Sequence, residues 1–598
     1  MTGRGDGDVS VVELFRDVAQ RRRSTVAFHD GDESITYGEL WERICRFSTG
    51  LRARGFGPEG RAIVMVPMSI DLYVVLLGAL KTGGIALFLD PWVGLRQLLA
   101  LARFSSPTAF VGTAKSHLLR WFDGGLRGIP LTVSRHPSLL ARESLRSIES
   151  SEASEEIWPS KREDTALVTF TTGSSGTPKG VRRTHGILAA QHRALAKEFP
   201  AIEGDVDLCS FPVFALNNLA LGVTTVIPPV DLKRIDRADP RAVIDAMRRH
   251  GVTTATASPP LFDAIAAAVS EATTRIPRST LGMTRSPLAM NFSPGERLER
   301  DCHPERSEGS PEETRALQDE ILRFAQDDIR AQNDTGVSND SLRLRRMLSG
   351  GAPVDDSQLR KWRAAFHHTE IEIVYGSTEA EPVAHLSAEE RFELADSPGY
   401  PAGTIASSVR AAIVGISSTP LDGSTVEQWQ RLLLPDGEIG ELIVTGEHVC
   451  RDYERNPEAV RENKIRDPEG NVWHRMGDTG WLDGERRFHL AGRVHSTIFR
   501  DGSAIHPQIV EKLGRKEDER IRRIAATGVP HVERGERLVV VIESDADLRD
   551  EVTARLKAGG IIADAVLTTR APMPVDPRHN SKIDYARLRE MIEKGSFE

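Results

Sequence analysis

The segment from Arg61 to Pro91 limits the possible folds more than any other stretch of the chain. RAIVMVPM is a short apolar run, DLYVVLLGALKTG has helical length, and GIALFLDP is a second apolar run. Strands without polar alternation are buried on both faces, and strand–helix–strand order predicts a parallel sheet covered by helices. The order recurs. TALVTF (165–170) predicts a strand, the stretch after His185 a helix, LCSFPV (208–213) a strand, and IEIVYG (371–376) a strand ending in a glycine turn. ITYGELWERICRFSTGLRA (35–53) carries apolar residues at helical spacing, and GELIVTG (440–446) reads as β structure of a more antiparallel kind. The expected fold class is α/β, a large body of parallel sheet followed by β-rich structure.

At 598 residues the chain exceeds one core, and roughly 150 residues per unit suggests about four folding units. A net charge of -9 spread over that length argues against a general nucleic-acid binder. Cys45, Cys209, Cys302 and Cys450 lie far apart, which fits neither a disulfide framework nor a zinc site and points to a reducing cytoplasm. The N-terminal MTGRGDGDVSVVELF lacks a signal-peptide core, and the apolar stretch Ile63–Leu89 is broken by Pro67, Asp71 and Lys81. No membrane span is expected, and the protein is read as soluble and cytoplasmic.

Two stretches break the pattern. Residues 141–162 are polar and rich in Ser and Glu, and read as a surface linker. Residues 275–338 include CHPERSEGSPEETRALQDEILRFAQDDIRAQND, charged throughout and similar to translated bacterial intergenic repeats. They are read as an insertion without catalytic groups, with a partner-binding arm as the functional alternative.

The string Thr171-Thr172-Gly173-Ser174-Ser175-Gly176-Thr177-Pro178-Lys179-Gly180 follows the strand ALVTF directly. Its glycines let the backbone turn tightly and approach a ligand. Hydroxyls and free N–H groups then converge on a small volume suited to phosphate oxygens, and Lys179 adds charge. The spacing is not GxxxxGK[ST], so this is not a Walker loop. Taken alone, it also fits a flexible Gly/Ser surface loop.

The string matches [ST]-[ST]-G-[ST]-[TS]-G-x-P-K-G at every position, and the chain resembles the adenylate-forming superfamily of acyl-CoA synthetases, luciferases and adenylation domains from about residue 11 to residue 590. The resemblance implies an N-terminal body (1–492) of parallel-sheet α/β subdomains plus a β-rich subdomain, and a small mobile α+β C-terminal lid domain (493–598). It implies ATP and Mg²⁺ as cofactors. In Tyr375-Gly376-Ser377-Thr378-Glu379 the aromatic ring would pack on adenine, Thr378 meet the α-phosphate and Glu379 hold the metal, an oxygen ligand suited to a hard cation. Gly350, Gly351 and Ala352 would line the adenine and acyl pockets. Asp478 would accept the ribose hydroxyls, with Met476 standing where the family has Thr. Arg493 would mark the hinge, with His495 in place of the usual Asp or Lys. Lys582 would be the adenylation lysine, preceded by Ser581 instead of Gly, and His579 is a candidate base.

Three segments, FPVFALNNLALGVTTVIP (211–228), WHRMGD (473–478) and DPRHNSKI (576–583), are similar to the olefin β-lactone synthetases. The first is mostly small and apolar, which suits an alkyl chain. That branch implies activation of a long-chain β-hydroxy acid followed by ring closure, with assembly among other olefin-pathway enzymes as a further implication. A fatty acyl-CoA synthetase or acyl-AMP ligase is the alternative, and a non-catalytic nucleotide- or acyl-binding homologue is the second.

Overall fold

The structure, a computed structural model, describes residues 10–88, 105–172, 178–231, 234–275, 342–575 and 583–597. The segment read as an insertion, 275–338, lies outside them apart from its first residue.

Among the described residues, one sheet has seven strands in the spatial order Glu143–Ser144, Leu131–Ser134, Ala109–Gly112, Arg61–Met65, Ile85–Phe88, Thr165–Thr172 and Pro178–Thr184. All neighbours are parallel except the last pair, a hairpin. Arg61–Met65 has the next strand in sequence on one side and Ala109–Gly112 on the other. Such a switch in strand order opens a crevice beyond the carboxyl ends of the strands. The helix Ile70–Lys81 covers this sheet and is buried along nearly its whole length. It packs on the helix Tyr37–Ala53 so closely that a Cβ at Gly78 would lie 2.6 Å from the Phe47 ring.

The largest sheet has fourteen strands. Val26–Asp30, Thr224–Ile227, Val206–Cys209, Thr254–Ala257, Arg346–Gly350 and Glu370–Ser377 run parallel. A reversal after Ser377 pairs the last of these with Ala380–Ser387, and the sheet continues antiparallel through Tyr400–Ile405, Arg487–Arg493, Val472–Leu482, Gly440–Thr445 and Arg410–Val414. The β-rich region is therefore the antiparallel continuation of the parallel sheet. A third sheet of five strands lies between Ile498 and Thr569 and encloses its own core of Val510, Ile524, Leu538, Val540, Ile542, Val552 and Leu556.

The helix Pro507–Arg515 joins the third sheet to the rest. Lys512 Nζ donates to the carbonyls of Ala395, Ser397 and Gly399 at 2.8, 2.6 and 3.0 Å, and Arg515 pairs with Asp355 at 3.0 Å. Three carbonyls around one ammonium leave it no unmet donor in this partly buried place.

Two expectations are corrected. LCSFPV is strand only through Cys209, and a helix, Pro212–Leu221, begins where the strand was extended. Proline at the first helical position loses no hydrogen bond and brings the right φ. Residues 141–162 are more than a surface linker. Glu143–Ser144 pairs with the sheet edge, Ser144 caps the turn Leu145–Ile148, and both Leu145 and Ile148 are buried. The buried Lys81 then straps the segment down through the carbonyls of Ser154 and Glu156 at 2.6 and 2.7 Å. Its polar composition hid two apolar anchors and a buried cation.

Candidate active site

A cavity of about 2700 Å³ opens among the three sheets, along the carboxyl ends of the parallel strands. Gly350, Gly351, Ala352, Tyr375, Gly376, Ser377, Thr378, Glu379, Asp478, Arg493 and Lys179 all line it. Residues that are up to 314 positions apart in sequence, Lys179 and Arg493, thus share one space. Residues 173–177 of the glycine-rich loop, with Gly173, Ser174, Ser175, Gly176 and Thr177, lie outside the described residues, as do His579 and Lys582. Thr171 and Thr172 end the strand that leads into the loop, and Thr171 pairs across the hairpin with Lys179. Val575 and Ile583, which flank the segment of Lys582, bridge to one another and line the cavity.

Close approach explains the glycines at the floor. A Cβ at Gly350 would sit 2.7 Å from the Val374 carbonyl, and Gly351 has φ +78°, a conformation that side chains disfavour.

One corner is organised around Asp478. Tyr375 Oη donates to Oδ2 at 2.6 Å, and Arg493 Nε approaches Oδ1 at 3.0 Å from the neighbouring strand. Burial and the Asp478 charge hold the Tyr375 phenol well above its ordinary range, so it stays a donor. Each Asp478 oxygen keeps a second lone pair for a ligand hydroxyl. The turn before it is fixed from below. Gly477 has φ +70° and its N–H donates to Glu441 at 3.2 Å, while Glu441 is locked by Arg475 at 2.6 Å, both almost fully buried. Met476, standing where the resemblance expects a hydroxyl, packs in the core, with its sulfur 3.9 Å from Ser377 Oγ. His495 lies in the short turn Val494–Ser496 and lines the cavity next to Arg493.

A second charged group surrounds Glu379. Lys179 is buried, with Nζ 3.9 Å from Glu462. Arg183 Nη2 donates to the Thr378 carbonyl at 2.6 Å and fixes the turn that presents Glu379. Tyr453 Oη donates to Glu379 Oε1 at 3.0 Å, and the Cys450 N–H donates to the Glu379 carbonyl at 2.8 Å. Burial pushes the Glu379 carboxyl up, but the Lys464 ammonium and the Tyr453 hydroxyl bring it below the usual range, so it is ionised. Burial brings Lys464 down to about 8, and burial with the Lys464 charge brings His474 down to about 3, leaving that imidazole neutral. Burial moves Glu381, one turn on, up to about 7. Arg183 Nη1 is buried with no partner, although Arg183 lines the cavity.

Arg183, Tyr453, Lys464 and His474 were not singled out from the sequence. Arg183 was within reach: on the strand Pro178–Thr184, Lys179, Val181 and Arg183 alternate onto one buried face. Lys464 and His474 come from the distant antiparallel strands and Tyr453 from the segment before them, and only the fold brings them to Glu379.

The far end is apolar. Met65, Val66, Met68, Phe88, Phe211, Phe214, Ile227 and Val230 line it. Of the segment 211–228 only the two ends reach the cavity, because Ala215, Leu216 and Leu219 point into the core. Asp263 also faces this region, with its oxygens committed to Trp362 at 2.7 Å and Gln358 at 2.8 Å. Among the described residues no cluster of three His, Cys, Asp or Glu could cage a metal, and no helix is long and apolar enough to cross a membrane.

Residues 15–454 match the AMP-binding enzyme family. The chain is 27% identical to the olefin β-lactone synthetase of Xanthomonas campestris, across 93% of this chain and 90% of that one. The feruloyl-CoA synthase of an Amycolatopsis species is 25% identical across 81% and 79%. Among solved structures, ATP-bound MatB from Rhodopseudomonas palustris superposes with a TM-score of 0.72 at 18% identity, covering 98% of this chain and 99% of its own. The chain belongs to the AMP-binding enzyme family and is an adenylate-forming ligase.

Proposed function

We propose that the protein activates a long-chain β-hydroxy acid with ATP and closes the adenylate to a β-lactone. The observation that carries the reading is the likeness to olefin β-lactone synthetases over nearly the whole chain, joined to a cavity charged at one end and apolar at the other. Asp478 and Arg493 hold the ribose end of ATP, and Tyr375 lies against the base. The loop 171–180, with Lys179 and Arg183, cradles the triphosphate. Mg²⁺ fits the donor set: a single ionised carboxylate, Glu379, suits an ion that binds through one or two carboxylates plus substrate phosphates. When bound, it would neutralise phosphate charge.

Lys582 orients the substrate carboxylate toward the α-phosphate, where the new P–O bond forms as pyrophosphate leaves. The β-hydroxyl oxygen then attacks the acyl carbon, the C–O bond to AMP breaks, and the hydroxyl proton passes to a base, for which His579 stands closest in sequence to Lys582. An internal hydroxyl has a high effective concentration, which offsets part of the ring strain. Residues 493–598 form the lid that turns at Arg493 between the two steps, and 1–492 the body.

Incubation with ATP, Mg²⁺ and a long-chain 2-alkyl-3-hydroxy acid is expected to yield a β-lactone, AMP and pyrophosphate. Lys582→Ala should lower pyrophosphate release by about 100-fold or more. Coenzyme A thioester formed from plain fatty acids, with no lactone, overturns the reading in favour of an acyl-CoA synthetase like the feruloyl-CoA relative. Equal near-zero release from both proteins favours a binding-only homologue.

A further inference from the structure

The edge of the seven-stranded sheet carries an exposed feature that adenylation does not use. The short helical turn Leu118–Phe122 leaves Leu118 at 48%, Trp121 at 63% and Phe122 at 66% exposure, and Leu139 is fully exposed nearby. The turn is not a loose tip. Arg120 Nη1 donates to the Leu140 carbonyl at 3.2 Å and Nε to the Leu126 carbonyl at 3.2 Å, while the guanidinium lies 5.9 Å from the Phe110 ring centre. These bonds place the loop that carries the exposed Leu139 beside the turn that carries the exposed Leu118, Trp121 and Phe122.

The charge around them is unlike that of the rest of the chain. Residues 114–142 hold five Lys or Arg (Lys115, Arg120, Arg127, Arg135 and Arg142) against one acid, Asp123, in a chain of net -9, although Arg135 is paired with Asp71 at 2.7 Å and Arg120 is turned onto backbone carbonyls. Lys115, Arg127 and Arg142 are exposed. Asp123 is turned inward, where it caps the Leu126 N–H at 3.1 Å. The inner face of the same turn reaches the cavity. Leu119 packs on the core around Phe110 and Phe170, and it lines the cavity with Thr113 and Ser116.

We propose that this face docks the protein on an anionic phospholipid surface. Trp, Phe and Leu bury in the interface between headgroups and acyl chains, and Lys and Arg around them are drawn to anionic headgroups. Single exposed apolar residues are ordinary, but four grouped on a braced turn and the loop beside it mark an interaction site. The basic surround selects an anionic lipid surface over an apolar protein partner. Resting on the reading of the substrate as a long-chain acid, the docked face brings the cavity wall at Leu119 next to the bilayer in which such an acid dissolves.

The test is flotation of the full chain with vesicles of phosphatidylglycerol and phosphatidylcholine in equal parts, and with phosphatidylcholine alone. Binding to the anionic vesicles is expected, with about tenfold less on the neutral ones. The double variant W121S/F122S and, separately, R127E/R142E should each reduce the bound fraction about tenfold, with unchanged melting temperature and unchanged pyrophosphate release from a short water-soluble acid. Wild type that stays unbound on anionic vesicles overturns the proposal, as does equal binding by wild type and both variants. A dimer in wild type that the aromatic variant loses, without vesicle binding, overturns it in favour of a protein interface. Vesicle binding without pyrophosphate release from any acid would leave the docking face standing and remove the substrate reading instead.

Discussion

At the charged end of the cavity, among the described residues, Glu379, Thr378 and Asp478 are each held by neighbours. Tyr453 and Cys450 fix Glu379, Arg183 fixes Thr378, and Tyr375 with Arg493 fixes Asp478. At the apolar end Phe211 and Phe214 rest against each other, ring centres 5.8 Å apart, on the packed core behind them. Hydrogen bonds between charged groups fix position and direction, whereas apolar contact fixes only volume. Under the function proposed above, the first end is the one that would recognise the nucleotide. On the same proposal, the second would accept any chain that fills it, with acid length set by how far the cavity extends.

The sharpest way to break this contrast is at Asp478. In Asp478→Asn the size is kept but Arg493 loses its counter-charge and one oxygen becomes a donor facing Tyr375. The expected outcome is a rise in KM for ATP of about 10- to 100-fold, since removing one partner of a charged pair strands the other. Pyrophosphate-release kinetics with ATP varied at saturating acid would check it, and an unchanged KM would show that this corner is not the nucleotide site.

Placing a charge at the other end should do the reverse. Phe214→Asp puts an anion on a wall of apolar side chains, where an alkyl chain would have to strip its water. KM for a long-chain acid is expected to rise about tenfold or more, with KM for ATP unmoved. If both constants rise together, the two ends are not independent. If neither moves, the acid lies elsewhere.

The same division decided what the sequence could reveal. The floor of the site was legible because backbone chemistry leaves a local mark: glycines where side chains cannot fit, as at Gly350 and Gly351, and a strand ending in Tyr375-Gly376. The parallel sheet was legible in the continuous apolar runs at 61–91. The supports were not. Tyr453, Lys464 and His474 reach Glu379 from strands and turns about 70 to 95 residues further on, and nothing local distinguishes a buried lysine from a solvated one. The apolar segment 211–228 was read as pocket throughout, yet half of it is core, because composition gives no direction to a side chain. Residues 141–162 misled for the opposite reason, since Lys81 turns their carbonyls into an interior surface.

The last expected effect concerns a buried carboxyl beside the seam between the sheets and is read as pH dependence. Glu511 lies on the helix Pro507–Arg515, lines the cavity, and accepts from Tyr585 Oη at 2.6 Å and from the Ala526 N–H at 2.9 Å. Burial raises its carboxyl to about 7, and those two hydrogen bonds only partly oppose that. A carboxyl whose folded value lies above its unfolded one contributes stability below the unfolded value, and that contribution is lost as pH rises through the folded value. The window is therefore from roughly pH 4.5 to 7, and the loss is on the order of 3 kcal/mol across it. Glu511→Gln keeps an acceptor for both donors without a charge to bury. Its melting temperature should fall less than that of wild type between pH 5 and 8, so that the two curves converge at the acid end and separate at the alkaline end. Parallel curves would mean that Glu511 is already ionised in the folded protein.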